Sequence, residues 1–268
     1  SALIGLGSLG IKKLHSQSDL DLILIYDAAG VEMSSGEKSI ASRSYYARLT
    51  KALVAAISAP MNEKSLFHVD MRLRPSGNQG PVATSLQAFK HYQTSEAWVW
   101  EHLALVNATI VAGPEILRTD ISKFCESLKK MRSEENVMAG LSIMRNRLFS
   151  PSNINKKWSM KLGQGKLQDI ELVSQMGIIL INEGSGVHNG LIALLKLKKI
   201  CADDLDYLIK TYDLLLGVQI LSKLLLKDDI KDGELGVNGK DLFLKYTDTL
   251  SVPLLVEKIS EMAFKSSA

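Results

Sequence analysis

The sequence predicts an α+β chain in two parts, a mixed-sheet domain over residues 1–113 and an all-α helical-bundle domain over residues 114–268. Three observations carry that reading. Short apolar runs bounded by glycine or polar residues, the pattern of buried strands, are confined to the first part. Gly113-Pro114 is a strong breaker between the two parts. Beyond it leucine, isoleucine and lysine recur at helical spacing.

Each element follows from its own residues. Ala2 to Ile4 and Leu20 to Tyr26 are apolar runs of strand length. Tyr45, Leu49, Leu53 and Ile57 fall on one helical face, and Pro60 ends that helix. Ser65 to Arg74 alternates. Phe67, Val69, Met71 and Leu73 face one way, and His68, Asp70, Arg72 and Arg74 the other, as in a half-buried strand. Pro75-Ser76-Gly77-Asn78-Gln79-Gly80-Pro81 is a loop. Helical patterns return over Ser85 to Tyr92 and Glu96 to Val106. In the second part, Leu162 to Lys166 carries two glycines and forms a loop before a helix that starts near Asp169. Leu205, Leu208, Ile209, Tyr212 and Leu216 make a stripe on a further helix.

Composition narrows the function. The chain has 268 residues, 46% hydrophobic and 23% charged, within the range of ordinary globular proteins. Lys+Arg 32 against Asp+Glu 29 gives a formal net charge of +3, too balanced for bulk nucleic-acid binding. The apolar run Leu191 to Leu197 is interrupted by Lys196, and no run is long enough to span a bilayer. Cys125 and Cys201 are far apart and suit free, partly buried thiols in a reducing, cytoplasmic setting. Ser1 in place of Met, directly before a strand, suggests a chain that begins inside a longer protein or follows a removed tag.

Two motifs carry chemistry. Asp19 and Asp21 open an apolar strand two residues apart, so both point to one face. Adjacent carboxylates repel, and a fold keeps such a pair mainly where a cation binds. Upstream, Gly5-Leu6-Gly7-Ser8-Leu9-Gly10 follows a strand and matches a dinucleotide fingerprint. Three observations oppose the dinucleotide reading. Gly10 to Ser18 is short for a crossover helix, the acids open the strand rather than follow it, and Asp70 has no place in that scheme. The alternative is a turn whose backbone N–H groups, with the Ser8 hydroxyl, receive phosphate. Asp19, Asp21 and Asp70 then form a carboxylate triad for Mg²⁺, with Arg72 and Arg74 on the Asp70 face to neutralise phosphate or to pair with the acids. Phosphate and divalent metal held together are the chemistry of nucleotidyl transfer.

At this point a resemblance enters. Gly5 to Gly10 followed by Ser18-Asp19-Leu20-Asp21-Leu22-Ile23 resembles the nucleotidyltransferase superfamily that includes DNA polymerase β. Val69-Asp70-Met71-Arg72-Leu73-Arg74-Pro75-Ser76-Gly77-Asn78-Gln79-Gly80-Pro81 is more specific and resembles the bacterial glutamine synthetase adenylyltransferase family. Ala97-Trp98-Val99-Trp100-Glu101-His102, Lys161, Gly165 and Asp169-Ile170-Glu171-Leu172 support it. The resemblance implies a polymerase β-like domain followed by the helical domain, with ATP as substrate and Mg²⁺ as cofactor. Asp19, Asp21 and Asp70 would be catalytic and metal-binding, and Gly7, Ser8, Ser18, Arg72, Arg74 and Lys161 would contact the nucleotide. Glutamine synthetase would be the protein substrate and a PII-type signal protein a second partner, with no nucleic acid or membrane involved. The tryptophan-rich wording is that of the carboxy-terminal, adenylylating half. The deadenylylating half and a non-catalytic regulatory module are the alternatives.

The chain also departs from the family pattern. Ser8 stands where a lysine is usual, Lys13 near an expected glutamate, Asn107-Ala108-Thr109 in place of Arg-Ala-Arg, and Lys166 in place of a glycine. Asp169 and Glu171 suit either a role over the site or a first helical turn that complements the macrodipole. Trp98 and Trp100 are expected in the core. Arg145 and Arg147 are left between stabilising the helical part and touching a partner.

Overall fold

The computed structural model describes residues 1–15, 18–61, 64, 65, 67–149, 159–225 and 236–267. These form two compact units, Ser1–Ser133 and Glu134–Ala268.

The first unit is built on a mixed sheet. Strand β1 (Ala2–Gly5) leads into the short helix α1 (Gly7–Gly10) and then β2 (Leu20–Tyr26). Helix α2 (Ser42–Ile57), the hairpin β3 (Pro60–Met61) and β4 (Lys64–Ser65), and the brief β5 (Val69–Asp70) follow. A 3₁₀ turn (Gly77–Gln79) precedes β6 (Ala83–Ser85), α3 (Leu86–Ser95), α4 (Val99–Leu105), β7 (Thr109–Ala112) and α5 (Glu115–Lys129). The sheet order is β5-β2-β1-β7. Antiparallel pairs join β1 to β2 and to β7, whereas β5 and β6 both run parallel to β2.

Strand β2 is apolar almost throughout because both of its faces are covered. Ile23 and Ile25 join Ala2, Ile4, Leu6, Leu86, Phe89, Leu105, Leu117 and Ile121 in one core. Leu24 and Tyr26 face the other way, toward Ala83, Tyr46 and Leu53 of α2. Tyr26 stacks on Tyr46 with ring centroids 4.1 Å apart. Helix α5 belongs to this unit, since Leu117, Ile121 and Leu128 complete the first core, so the compact unit extends past the Gly113-Pro114 breaker.

Two expectations are corrected here. The alternating segment Ser65 to Arg74 is not one strand: Leu66 lies outside the described residues, and regular pairing to β2 is confined to Val69 and Asp70. The backbone then turns, with the Arg74 N–H donating to the Met71 carbonyl at 3.2 Å. The helix expected from Glu96 begins at Val99, because Glu101 reaches back to the Trp98 N–H at 2.9 Å and caps it there.

The second unit contains α6 (Glu134–Leu148), α7 (Leu167–Ile181), α8 (Val187–Lys196), α9 (Ala202–Leu225), α10 (Val237–Thr247) and α11 (Val252–Ser267). Helices α7 and α8 cross on glycines: a Cβ at Gly190 would lie 2.1 Å from the Ser174 carbonyl oxygen. Helix α9 buries Thr211, Tyr212, Leu215, Val218 and Ser222. That buried set shares only Tyr212 with the expected stripe.

Candidate active site

The site grows from the turn after β1. The Leu6 N–H donates to the Asp21 carbonyl at 2.9 Å, so the chain stays tied to β2 as it leaves the sheet. Gly7 then adopts φ +52°, a left-handed conformation that L side chains rarely accept. A Cβ there would lie 2.3 Å from Asp21 Oδ2. The Asp21 carboxylate therefore occupies the space a side chain at Gly7 would need. Gly10 is equally constrained, with a Cβ falling 2.1 Å from the Asn107 carbonyl oxygen. Thr109 Oγ1 donates to the Gly10 carbonyl at 2.8 Å. Thus Asn107 and Thr109 back the glycine turn from β7 and the residues before it.

Asp70 stands beside Asp21. The parallel register pairs Leu20 with Val69 and Asp21 with Asp70. Neighbouring strands lie about 4.8 Å apart, and paired residues share a face, so two carboxylates sit side by side. Asp19 is exposed just before β2. Both Asp70 oxygens are engaged by Arg72. Its backbone N–H donates to Oδ1 at 2.8 Å, and its Nε to Oδ2 at 2.8 Å with Nη2 on the same oxygen. This guanidinium holds the Asp70 carboxyl below the usual carboxylate range. In return Asp70 foremost, with Asp19 and Asp21 adding at longer range, raises the Arg72 pKa.

Three carboxylates are hard oxygen donors of the kind that suit Mg²⁺. Their chemistry fits the ion, but they are not gathered around one point. Among the described residues no three His, Cys, Asp or Glu side chains are grouped to hold a metal, and Asp70 is turned to Arg72.

The other expected nucleotide contacts divide. Gly7 is exposed and Ser8 partly so, beside the acids. Ser18 is buried, and its hydroxyl accepts the His15 N–H at 3.1 Å. Arg74 is buried as well. Its Nη1 donates to the Met71 carbonyl at 2.7 Å and Nη2 reaches the Gly80 carbonyl at 3.4 Å, so it clamps the loop over residues 71–80. Gly80 is needed there because a Cβ would lie 2.0 Å from the Pro75 carbonyl oxygen. Lys161 is exposed on the loop before α7, in the second unit.

The remaining motif residues hold structure. Glu101 is buried, caps α4 and accepts the Tyr92 hydroxyl at 2.9 Å. His102 Nε2 lies 2.9 Å from the Gln93 carbonyl, and Arg132 Nε donates to Nδ1 at 3.3 Å. That arrangement is a neutral imidazole protonated on Nε2, and burial pulls its pKa down. Trp98, expected in the core, is 61% exposed, because its backbone rather than its ring serves the cap. In the second unit Asp169 Oδ2 accepts both Arg145 Nη2 and the Gly165 N–H at 2.8 Å, while Arg145 Nε makes an ionic contact with Oδ1 at 2.7 Å. Asp169 is thus an internal strut, and Arg145 stabilises its own unit. Lys166 Nζ donates to the Ser159 carbonyl at 2.6 Å and closes the same loop. Sequence spacing gave no sign of the Arg145–Asp169 or Arg132–His102 partnerships, which join separate helices or loops.

Comparison with known proteins decides the family. Residues 1–124 match the model of the family described as glutamate-ammonia ligase adenylyltransferase. The bifunctional glutamine synthetase adenylyltransferase/adenylyl-removing enzyme of Mesorhizobium japonicum is 41% identical over 187 residues, 69% of this chain and 19% of the relative. The enzyme of the same name from Bartonella quintana is 32% identical over 270 residues, 97% of this chain and 27% of the relative. The chain belongs to the glutamine synthetase adenylyltransferase family. It spans only 19% and 27% of the length of those two relatives. Within this adenylyltransferase family the chain's departures acquire positions. Asn107 and Thr109 press on the glycine turn, and Lys166 is committed to Ser159.

Proposed function

We propose that this chain is a catalytic module that transfers AMP from ATP to a tyrosine of glutamine synthetase, with Asp19, Asp21 and Asp70 as its acids. The observation that carries the reading is the Asp21–Asp70 pair, in register on adjacent parallel strands against the Gly7 turn. Mg²⁺, when bound, would neutralise the departing pyrophosphate and activate the attacking oxygen. Asp21 and Asp70 would hold the ion, with Asp19 at the exposed lip. Gly7 keeps the Asp21 carboxylate in place, and Ser8 offers a hydroxyl donor to phosphate. A tyrosine hydroxyl has a pKa near 10 and must lose its proton to attack. Asp70 is the acceptor we assign. Arg74 and Ser18 serve the site through the loops they hold. The wording Ala97-Trp98-Val99-Trp100-Glu101-His102 favours the adenylylating half.

The test is direct. The chain, ATP, Mg²⁺ and glutamine synthetase should yield AMP-tyrosine by intact-protein mass, and Asp21→Asn should abolish it. Undiminished transfer by that variant overturns the role of the acids. Relatives carry an adenylyl-removing activity in their names, so the same chain is also to be given adenylylated glutamine synthetase and phosphate. Release of ADP there, without transfer in the first assay, reverses the assigned direction.

A further inference from the structure

The paired acids already have a cation, and it comes from the chain. We propose that Arg72 is a resident counter-ion that occupies Asp70 until a divalent cation displaces it, so that Arg72 sets how readily the site takes metal. The inference rests on the metal-site reading above and adds a competitor within the site.

Three observations converge. First, the engagement is complete: Asp70 gives Oδ1 to the Arg72 backbone N–H and Oδ2 to the guanidinium. A carboxylate so engaged has most of its acceptor capacity taken up by Arg72. Second, the two partners differ in freedom. The Asp70 side chain is 16% exposed, whereas that of Arg72 is 70% exposed. The acid is held in the sheet and the guanidinium lies over it from the solvent side, free to swing away without disturbing the core. Third, the pair is made by the fold. The turn that follows Asp70, fixed by Arg74 on the Met71 and Gly80 carbonyls, brings Arg72 back over its own strand. Arg74 is buried in that clamp and cannot substitute for Arg72.

Two cations cannot share one carboxylate without mutual repulsion. Metal entry is therefore opposed by the guanidinium already in place, and in the proposed exchange Asp70 releases it and receives the ion. An ion pair whose guanidinium lies in solvent is weak, so a dication can win the exchange. Removing Arg72 should then strengthen metal binding. A residue with a purely structural role at this position would weaken binding on removal.

The experiment uses the whole chain without nucleotide and titrates Mn²⁺, following the free ion by electron paramagnetic resonance. Arg72→Gln should bind Mn²⁺ about tenfold more tightly than the unaltered chain, Arg72→Lys should lie between them, and Asp21→Asn should bind more weakly. Circular dichroism confirms that each variant is folded. Equal or weaker binding by folded Arg72→Gln, with clear binding by the unaltered chain, overturns the Arg72 inference and leaves the metal site standing. Absence of millimolar binding by the unaltered chain and by Arg72→Gln alike overturns the metal site and the inference together.

Discussion

Gly7 carries more of the site than its lack of a side chain suggests. Its φ of +52° and the Asp21 oxygen 2.3 Å from a virtual Cβ make two separate demands for glycine. Gly7→Ala should therefore move the Asp21 carboxylate, with little effect on a core that this residue does not enter. Backbone strain at such a position costs about 1–2 kcal/mol, and an ångström of displacement at a reacting group can cost about 100-fold in rate. We expect AMP transfer to fall by about two orders of magnitude while the melting temperature drops only slightly. Loss of transfer in proportion to loss of folded protein would contradict this. Spacing singled out Asp19 and Asp21, and alternation placed Asp70 on a polar face; that Asp21 and Asp70 pair in register shows only in the sheet. The sequence could not separate Arg72 from Arg74. Both alternate onto one face in the pattern, yet a turn at residues 71–74 leaves one exposed on Asp70 and buries the other among carbonyls.

Whole elements obeyed local rules where those rules were strong. Strand β2 was plain as an apolar run, and α2 as a helix ended before Pro60, although Tyr45 and Leu49 of its expected face are exposed and Tyr46 packs instead. β7 escaped notice because Thr109–Ala112 is too short and too exposed for a pattern, and its place is set by pairing with β1. Helix α4 shows how a polar motif becomes structure, with Glu101 capping the helix and His102 tying Gln93 to Arg132. Burial lowers the His102 pKa below its ordinary value near 6.5. As pH falls below that value the unfolded chain takes up a proton that the folded chain still refuses, so stability declines with acidification. Thermal melts between pH 7 and pH 5 should show this decline, and His102→Gln should flatten it. Parallel slopes for the two proteins would remove His102 from the pH response.

At the scale of the whole molecule, two compact units argue against a single cooperative transition. Asp169 offers a probe of one of them. Its side chain is 3% exposed and braced by Arg145 and the Gly165 N–H. Taking one partner from a buried ion pair costs about 3–5 kcal/mol, with Arg145's partial exposure placing this case at the lower end. Asp169→Asn should speed amide hydrogen exchange in α7, α8 and α9 and leave the β1 and β2 amides unchanged. Equal acceleration in both sets would mean that the units open as one. The helical character of this part was evident from composition, but its buried pairings were not, because they join residues whose spacing in sequence carries no periodic signal.

The edge of β2 has one further consequence. Val69 and Asp70 pair with Leu20 and Asp21, and Ala83 to Ser85 pair with Leu24 to Tyr26, so the same edge is used twice in succession. Everything from residue 71 to residue 82 is an excursion that departs and returns opposite only Leu22 and Ile23. Within it the Arg74 guanidinium spans from the Met71 carbonyl to the Gly80 carbonyl, so the excursion is closed across its base. The segment that carries Arg72 back onto Asp70 is therefore anchored at both ends by the strand it serves.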